Sequence, residues 1–373
     1  METYRLKSKL VENNKEYIIQ TSSDSDPSCV STVVYVNGQA TEYVRSPHPP
    51  EVTSEEVLSL VKIRHGEMKK EIETLLEAYR MVSSEGDPRK LYHLGMAFFY
   101  KKLYDEACAL FEKAVRFDDQ MYQAFNQLGM TYLVLGRIPQ AVEACSAAVK
   151  ARPGFADHRN NLAEALMAAG SYKRAVIELE EAIRINLYYA DAYYNLGLAL
   201  LQNALGGQDT SLFESVLTKS TDYFKRAALI QPEYDCDAYH QGMAAIAKSR
   251  LEEANELLKS VQVEKKERHR RQFTTFYMRF VLYPEWVSEE AIAERIAFLQ
   301  AEIEKNPSYV DLYSELGRCC FELARLNWQK GVEQYRRVVD MNPSLTRVAA
   351  DLTEATKQYE AVCNLLGRMA QRS

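Results

Sequence analysis

A chain of 373 residues with 47% hydrophobic and 26% charged side chains can bury a sizeable core, which excludes wholesale disorder and any need for disulfide or metal staples. A formal charge of −6 gives no overall signature of nucleic-acid or anionic-membrane binding. The seven cysteines form an odd set without a Cys-x-x-Cys pair, and no window approaches roughly 18 uninterrupted apolar residues, so free thiols in a cytoplasmic protein are expected.

Residues 1–50 read as a small antiparallel β domain. "YRLKSKLV" and "KEYIIQT" flank Asn13-Asn14, and "VSTVVYV" and "TEYVRS" flank Asn37-Gly38, a pair that readily takes the positive φ of a type I′ hairpin turn. "TSSDSDPS" between the hairpins reads as a loop, and the proline-rich "SPHPPEV" as a break. After it, Thr53 and Glu56 fit a capping box, and Val57, Leu60, Val61, Ile72, Leu75, Leu76 and Tyr79 recur at helical spacing. They predict a linking helix over 51–82.

A repeat dominates the remainder. Leu94-Gly95, Leu128-Gly129, Leu162-Ala163 and Leu196-Gly197 stand 34 residues apart, with Ala107, Ala141 and Ala175, then Ala114, Ala148 and Ala182, in the same phase. Small residues at such places let paired helices approach closely. The pattern resembles the tetratricopeptide repeat, and the resemblance implies a mainly α fold, a right-handed superhelix of helical hairpins carrying the N-terminal β domain. Five repeats are expected over 88–268, the fourth with an insertion near 203–218. A degenerate helical pair over 269–309 follows, then a repeat-like unit over 310–345 marked by Tyr313, Leu316-Gly317, Tyr335 and Pro343. An amphipathic capping helix over 346–371 completes the array.

In proteins of this family the first helices of successive repeats line a concave groove. Carried over position by position, the resemblance places Tyr92, Met96, Phe99 and Tyr100 of the first repeat on that surface, followed by Asn126, Met130 and Leu133 of the second. The third repeat contributes Asp157, Asn160, Glu164 and Met167, the fourth Asp191, Tyr194, Leu198 and Leu201, and the fifth Tyr239 and Met243. Asn126, Asn160, Asn161 and Asn195 could hydrogen-bond the backbone of an extended peptide, although asparagine is also common in the repeat pattern itself. Positions where chaperone-tail receptors of the family carry a carboxylate clamp hold Tyr92, Met96, Gln127 and Asp157, so an Hsp70 or Hsp90 carboxylate-clamp receptor is not expected.

Familiar phosphate, zinc and acyl-transfer motifs are absent, and neither a catalytic residue, a metal site nor a cofactor is expected. His93 and His240 share a repeat position but lie several repeats apart, so helix packing outweighs metal binding. Cys319-Cys320 point about 100° apart on a helix, which favours packing over redox pairing. "KKERHRRQFTTFYMRF" could bind phosphate and stack bases, against the plainer reading of a charged helix leading into a buried aromatic face; nucleic acid is not the expected ligand. The expected function is a non-catalytic scaffold that binds a peptide or partner helix in its groove, with no membrane association. A self-assembling oligomer is the alternative, and an enzyme or RNA-binding role through the N-terminal domain or residues 265–279 a further one.

Overall fold

The computed structural model describes residues 3–12, 14–26, 28–49, 51–206, 213–282, 289–305, 310–342 and 345–370. The chain divides into two compact units, Met1–Leu229 with Glu233–Leu282, and Ile230–Pro232 with Tyr283–Ser373.

In the first unit, β1 (Arg5–Glu12), β2 (Lys15–Asp26), β3 (Cys29–Val36) and β4 (Gln39–Pro47) form one antiparallel sheet in chain order. Asn37 and Gly38 adopt φ of 49° and 83°, the left-handed pair that the second hairpin requires. Contrary to the loop expected there, β2 continues to Asp26, and a register shift between Ser22 and Asp26 absorbs the irregular stretch. Tyr17, Ile19, Val30 and Val34 are buried on the face covered by α1 (Ser54–Glu85), while Arg5, Lys7 and Lys9 alternate outward.

Helix α1 starts at the predicted capping box: the Glu56 amide donates to Thr53 Oγ1 at 3.3 Å and the Thr53 amide to Glu56 Oε2 at 2.8 Å. It ends at Gly86, where φ of 72° lets the chain turn off the helix. Its buried residues Ile72, Leu75 and Leu76 share one core with Tyr17 and Ile19 of the sheet and with Leu91, Leu94 and Phe111 of the first hairpin. The break at residue 50 is therefore a change of secondary structure inside a continuous core.

Five hairpins follow: α2 (Pro88–Tyr100) with α3 (Tyr104–Phe117), α4 (Tyr122–Val134) with α5 (Ile138–Ala151), α6 (Ala156–Ala168) with α7 (Tyr172–Ile185), α8 (Ala190–Leu205) with α9 (Phe213–Ile230), and α10 (Asp237–Ala247) with α11 (Leu251–Leu282). The Leu-Gly signature has the predicted cause. A Cβ on Gly129 would stand 2.3 Å from Cys145 Sγ and 3.0 Å from the Cys145 backbone nitrogen, so only a bare backbone lets α4 and α5 close. Turns within the first three hairpins fall at Lys102, Gly136 and Gly170, 34 residues apart and all left-handed, with φ of 57°, 73° and 71°. Most of the expected insertion, residues 207–212, lies outside the described residues.

Two expected boundaries are corrected. Helix α11 runs unbroken through 268, because no glycine or proline occurs between Leu251 and Leu282. In the second unit, α12 (Glu289–Lys305) precedes α13 (Val310–Met341) and α14 (Thr346–Ala370), and α13 is one 32-residue helix where a hairpin over 310–345 was expected. Aligned on Leu-Gly, Ala324 stands where Lys102, Gly136 and Gly170 turn left-handed, and its neighbours Leu323 and Arg325 are good helix formers.

Candidate functional site

The first helices α2, α4, α6 and α8 form the row on which a groove was expected. Helix α11 lies across that row, packing on α8 near one end and on α2 near the other. Its anchoring is polar and stepwise. The backbone carbonyl of Leu258 accepts from the Tyr194 hydroxyl at 2.8 Å, and Gln262 Nε2 donates to Asn195 Oδ1. Lys265 pairs with Asp191 and Lys266 with Glu164. Farther along, Glu267 meets Lys102 at 3.1 Å, and Arg270 donates to the Tyr100 carbonyl at 2.6 Å while standing 3.9 Å from Glu42 of β4. The basic run thus finds acidic and carbonyl partners inside its own chain.

Tyr194, Asn195, Leu198 and Tyr239, expected on an open wall, are covered. The Tyr194 ring stacks on Tyr234 at 4.3 Å and meets Phe224 edge-on at 4.9 Å. Met96, Asn126 and Asn160 are also buried, whereas Tyr92, Phe99, Tyr100, Met130, Leu133, Met167 and Met243 are half-buried. Tyr92 packs on Phe111, and Phe99 lies edge-on to Tyr100 and Tyr104. The asparagines link successive repeats to one another: Asn161 donates to Asn126 at 3.1 Å and Asn195 to Asn160 at 2.8 Å, with a second contact from Asn195 to Glu164 at 3.0 Å. This ladder leaves Asn195 Oδ1 to receive Gln262.

Charge sets the chemistry of the row. Burial alone would raise the Asp191 pKa, but the ammonium of Lys265 and the hydroxyl of Tyr234 outweigh it and hold the carboxyl below its ordinary value. Lys265 also stands 4.4 Å from the centre of the Tyr234 ring. Glu267 is lowered to about 2, chiefly by its hydrogen bond from Arg270. Where α11 approaches the sheet, the Glu42 carboxyl is raised by burial against the opposing pull of Lys101, and Lys101 keeps its proton because Glu42 and Glu71 outweigh its own desolvation. Burial pushes the Cys108 and Cys145 thiols up to about 12, which keeps both protonated at neutral pH. Among the described residues no three His, Cys, Asp or Glu side chains gather in a metal-binding cluster, and no helix is long and apolar enough to cross a membrane. The row can hold a helix by amides, carboxylates and aromatic packing.

The family described as tetratricopeptide repeat matches residues 91–120 and 126–186. A peroxisomal targeting signal receptor of Saccharomyces cerevisiae is 32% identical over 89 residues, which are 24% of this chain and 14% of the receptor, so the chain spans a small part of that relative. Among solved structures, MamA shares 23% identity with a TM-score of 0.35, covering 47% of this chain and 96% of MamA. TTC0263, a thermophilic protein of Thermus thermophilus, shares 21% identity with a TM-score of 0.36, covering 62% of this chain and 98% of that one.

Proposed function

We propose that the chain, which matches the tetratricopeptide repeat over residues 91–120 and 126–186, is a non-catalytic interaction scaffold whose inner helix row binds a cationic helix presented by a protein partner. One observation carries the reading: the row already grips a helix, α11, through Asp191, Glu164 and Asn195. These groups define the ligand chemistry. Carboxylates on α8 and α6 select lysine or arginine at two adjacent positions, Asn195 selects a side-chain amide, and Tyr194 donates to a helix carbonyl. In this state α11 occupies the site, so a partner must compete with it, and its affinity is reduced by the fraction of chains in which α11 has left. Tyr92, Met96, Phe99, Tyr100, Asn126, Met130, Leu133, Asn160, Met167, Leu198, Tyr239 and Met243 supply the surrounding wall. Such a row makes no demand for a cofactor.

The test uses the full chain and a labelled synthetic peptide with the sequence of residues 251–282. In a variant carrying Lys265→Glu and Lys266→Glu the resident helix is repelled by Asp191 and Glu164, and the peptide is expected to bind that variant and be excluded from the wild type. A well-folded variant that ignores the peptide would sink the groove assignment.

A further inference from the structure

Within the second unit, α13 packs between α12 and α14, which fixes its rotation. Trp328 Nε1 donates to the Ala355 carbonyl of α14 at 3.0 Å, Arg325 reaches the Tyr359 hydroxyl at 3.3 Å, and Lys330 pairs with Glu289 of α12 at 2.6 Å. Cys319 and Val332 are buried. Beside the α14 contact a line of α13 is partly exposed: Phe321 is 44% exposed, Trp328, whose indole nitrogen meets α14, 41% and Tyr335 41%, one every seven residues. Three residues after each stand Ala324, Gly331 and Val338, also exposed. Spacings of three and seven on one helix are the a and d positions of a heptad seam, the pattern by which a helix meets another helix. Trp328 is shared with α14, while Phe321 and Tyr335 stand one heptad to either side of it and extend the apolar line beyond that contact.

The sizes within the seam specify the partner. Large rings occupy every a position and small or medium residues every d position, and a Cβ built on Gly331 would meet nothing within 4 Å, so the backbone there is open to a close approach. Parallel pairing stacks a on a and d on d, which sets Trp328 against its counterpart and leaves a void at Gly331. Antiparallel pairing sets each a against a d. About a two-fold axis between Gln329 and Lys330, Trp328 falls opposite Gly331 of the second copy, Phe321 opposite Val338 and Tyr335 opposite Ala324, and every layer then joins a large residue with a smaller one. Of the residues that flank the seam, Asn327, Val332, Gln334 and Val339 are uncharged, and the charge of Arg325 is paired with Glu322 at 2.6 Å.

The geometry points to α13 as a homodimerisation seam, with a second copy of this chain packed antiparallel against Phe321, Ala324, Trp328, Gly331, Tyr335 and Val338. The seam spans about 26 Å of helix, a short stretch beside a standard interface of about 800 Å² per partner, so the dimer dissociates on dilution.

Light scattering on the full chain across a dilution series tests this. Wild type is expected to approach twice the 42.7 kDa mass of one chain at the concentrated end. Gly331→Trp puts ring against ring and is expected to give monomer, and Trp328→Ala combined with Gly331→Trp restores the size match and the dimer. Ala324→Lys, an exposed and helix-compatible change, gives monomer with helical content unchanged. A wild type that is monomeric throughout, a folded Ala324→Lys that still dimerises, or a double variant that stays monomeric with native helical content would each overturn the proposal. Groove binding of the 251–282 peptide is read separately, so failure of either idea leaves the other standing.

Discussion

At the scale of single residues, the packing signature makes a direct prediction. Gly129→Ala forces a methyl into Cys145 Sγ and its backbone nitrogen, and is expected to cost about 1–3 kcal/mol, read as a lower Tm. Adding Cys145→Ala removes the nearer atom and should recover part of the loss. A second prediction concerns His65, which bridges helix and sheet through Ser8 at 2.8 Å and Thr21 at 3.2 Å. Burial, with Lys69 one turn away, lowers its pKa below the ordinary 6.5, so the unfolded chain binds more protons than the folded one. The stability due to neutral His65 is therefore complete above pH 6.5 and is lost as pH falls through that value towards the lowered folded pKa. His65→Gln should flatten this segment of the Tm against pH curve; an unchanged slope would assign the acid sensitivity elsewhere. The leucine-glycine pairs announced their partners because the repeat itself sets the distance, with Phe111 and Cys145 each sixteen residues on from their glycines. His65 gave no such signal, since Ser8 and Thr21 lie far from it in sequence.

At the scale of elements, α11 marks the limit of sequence reading. Its helical character was legible in "KKERHRRQFTTFYMRF", and so was the groove phase of Asp191 and Glu164, but nothing local tells a basic helix that its counter-charges lie 74 and 102 residues upstream. Tyr194 illustrates the same limit. Repeat phase puts it on the inner side of α8, and only the fold shows Phe224 of α9, Tyr234 and the Leu258 carbonyl of α11 covering it. The four strands were legible from alternation and turn residues, whereas the extension of β2 to Asp26 was hidden by a serine- and aspartate-rich stretch that reads as loop. Lys265→Glu should be severe, because the Lys265 side chain is only 8% exposed and reversal leaves Asp191 facing a like charge. The expected cost is about 3–5 kcal/mol, seen as faster hydrogen exchange across residues 258–270. Adding Asp191→Lys should restore part of the protection; a double variant as open as the single one would remove the pair from the account.

At the scale of the whole molecule, the array differs from an open superhelix by what it does with its inner surface. An acidic and amide-lined row is matched to a basic helix, and the chain supplies one. The N-terminal sheet takes part in that arrangement, since Arg270 of α11 approaches Glu42 of β4 where Lys101 and Glu71 also meet. A ligand that displaces α11 therefore acts on the repeats and on the sheet together, which couples the two in one equilibrium. The central claim, that α11 lies on the inner row, is tested most directly by zero-length carbodiimide cross-linking of the dilute wild-type protein followed by peptide mass spectrometry. Bonds from Lys266 to Glu164 and from Lys265 to Asp191 are predicted within one chain. Efficient cross-linking elsewhere, with Lys265 and Lys266 joined only to residues of their own helix, would contradict it.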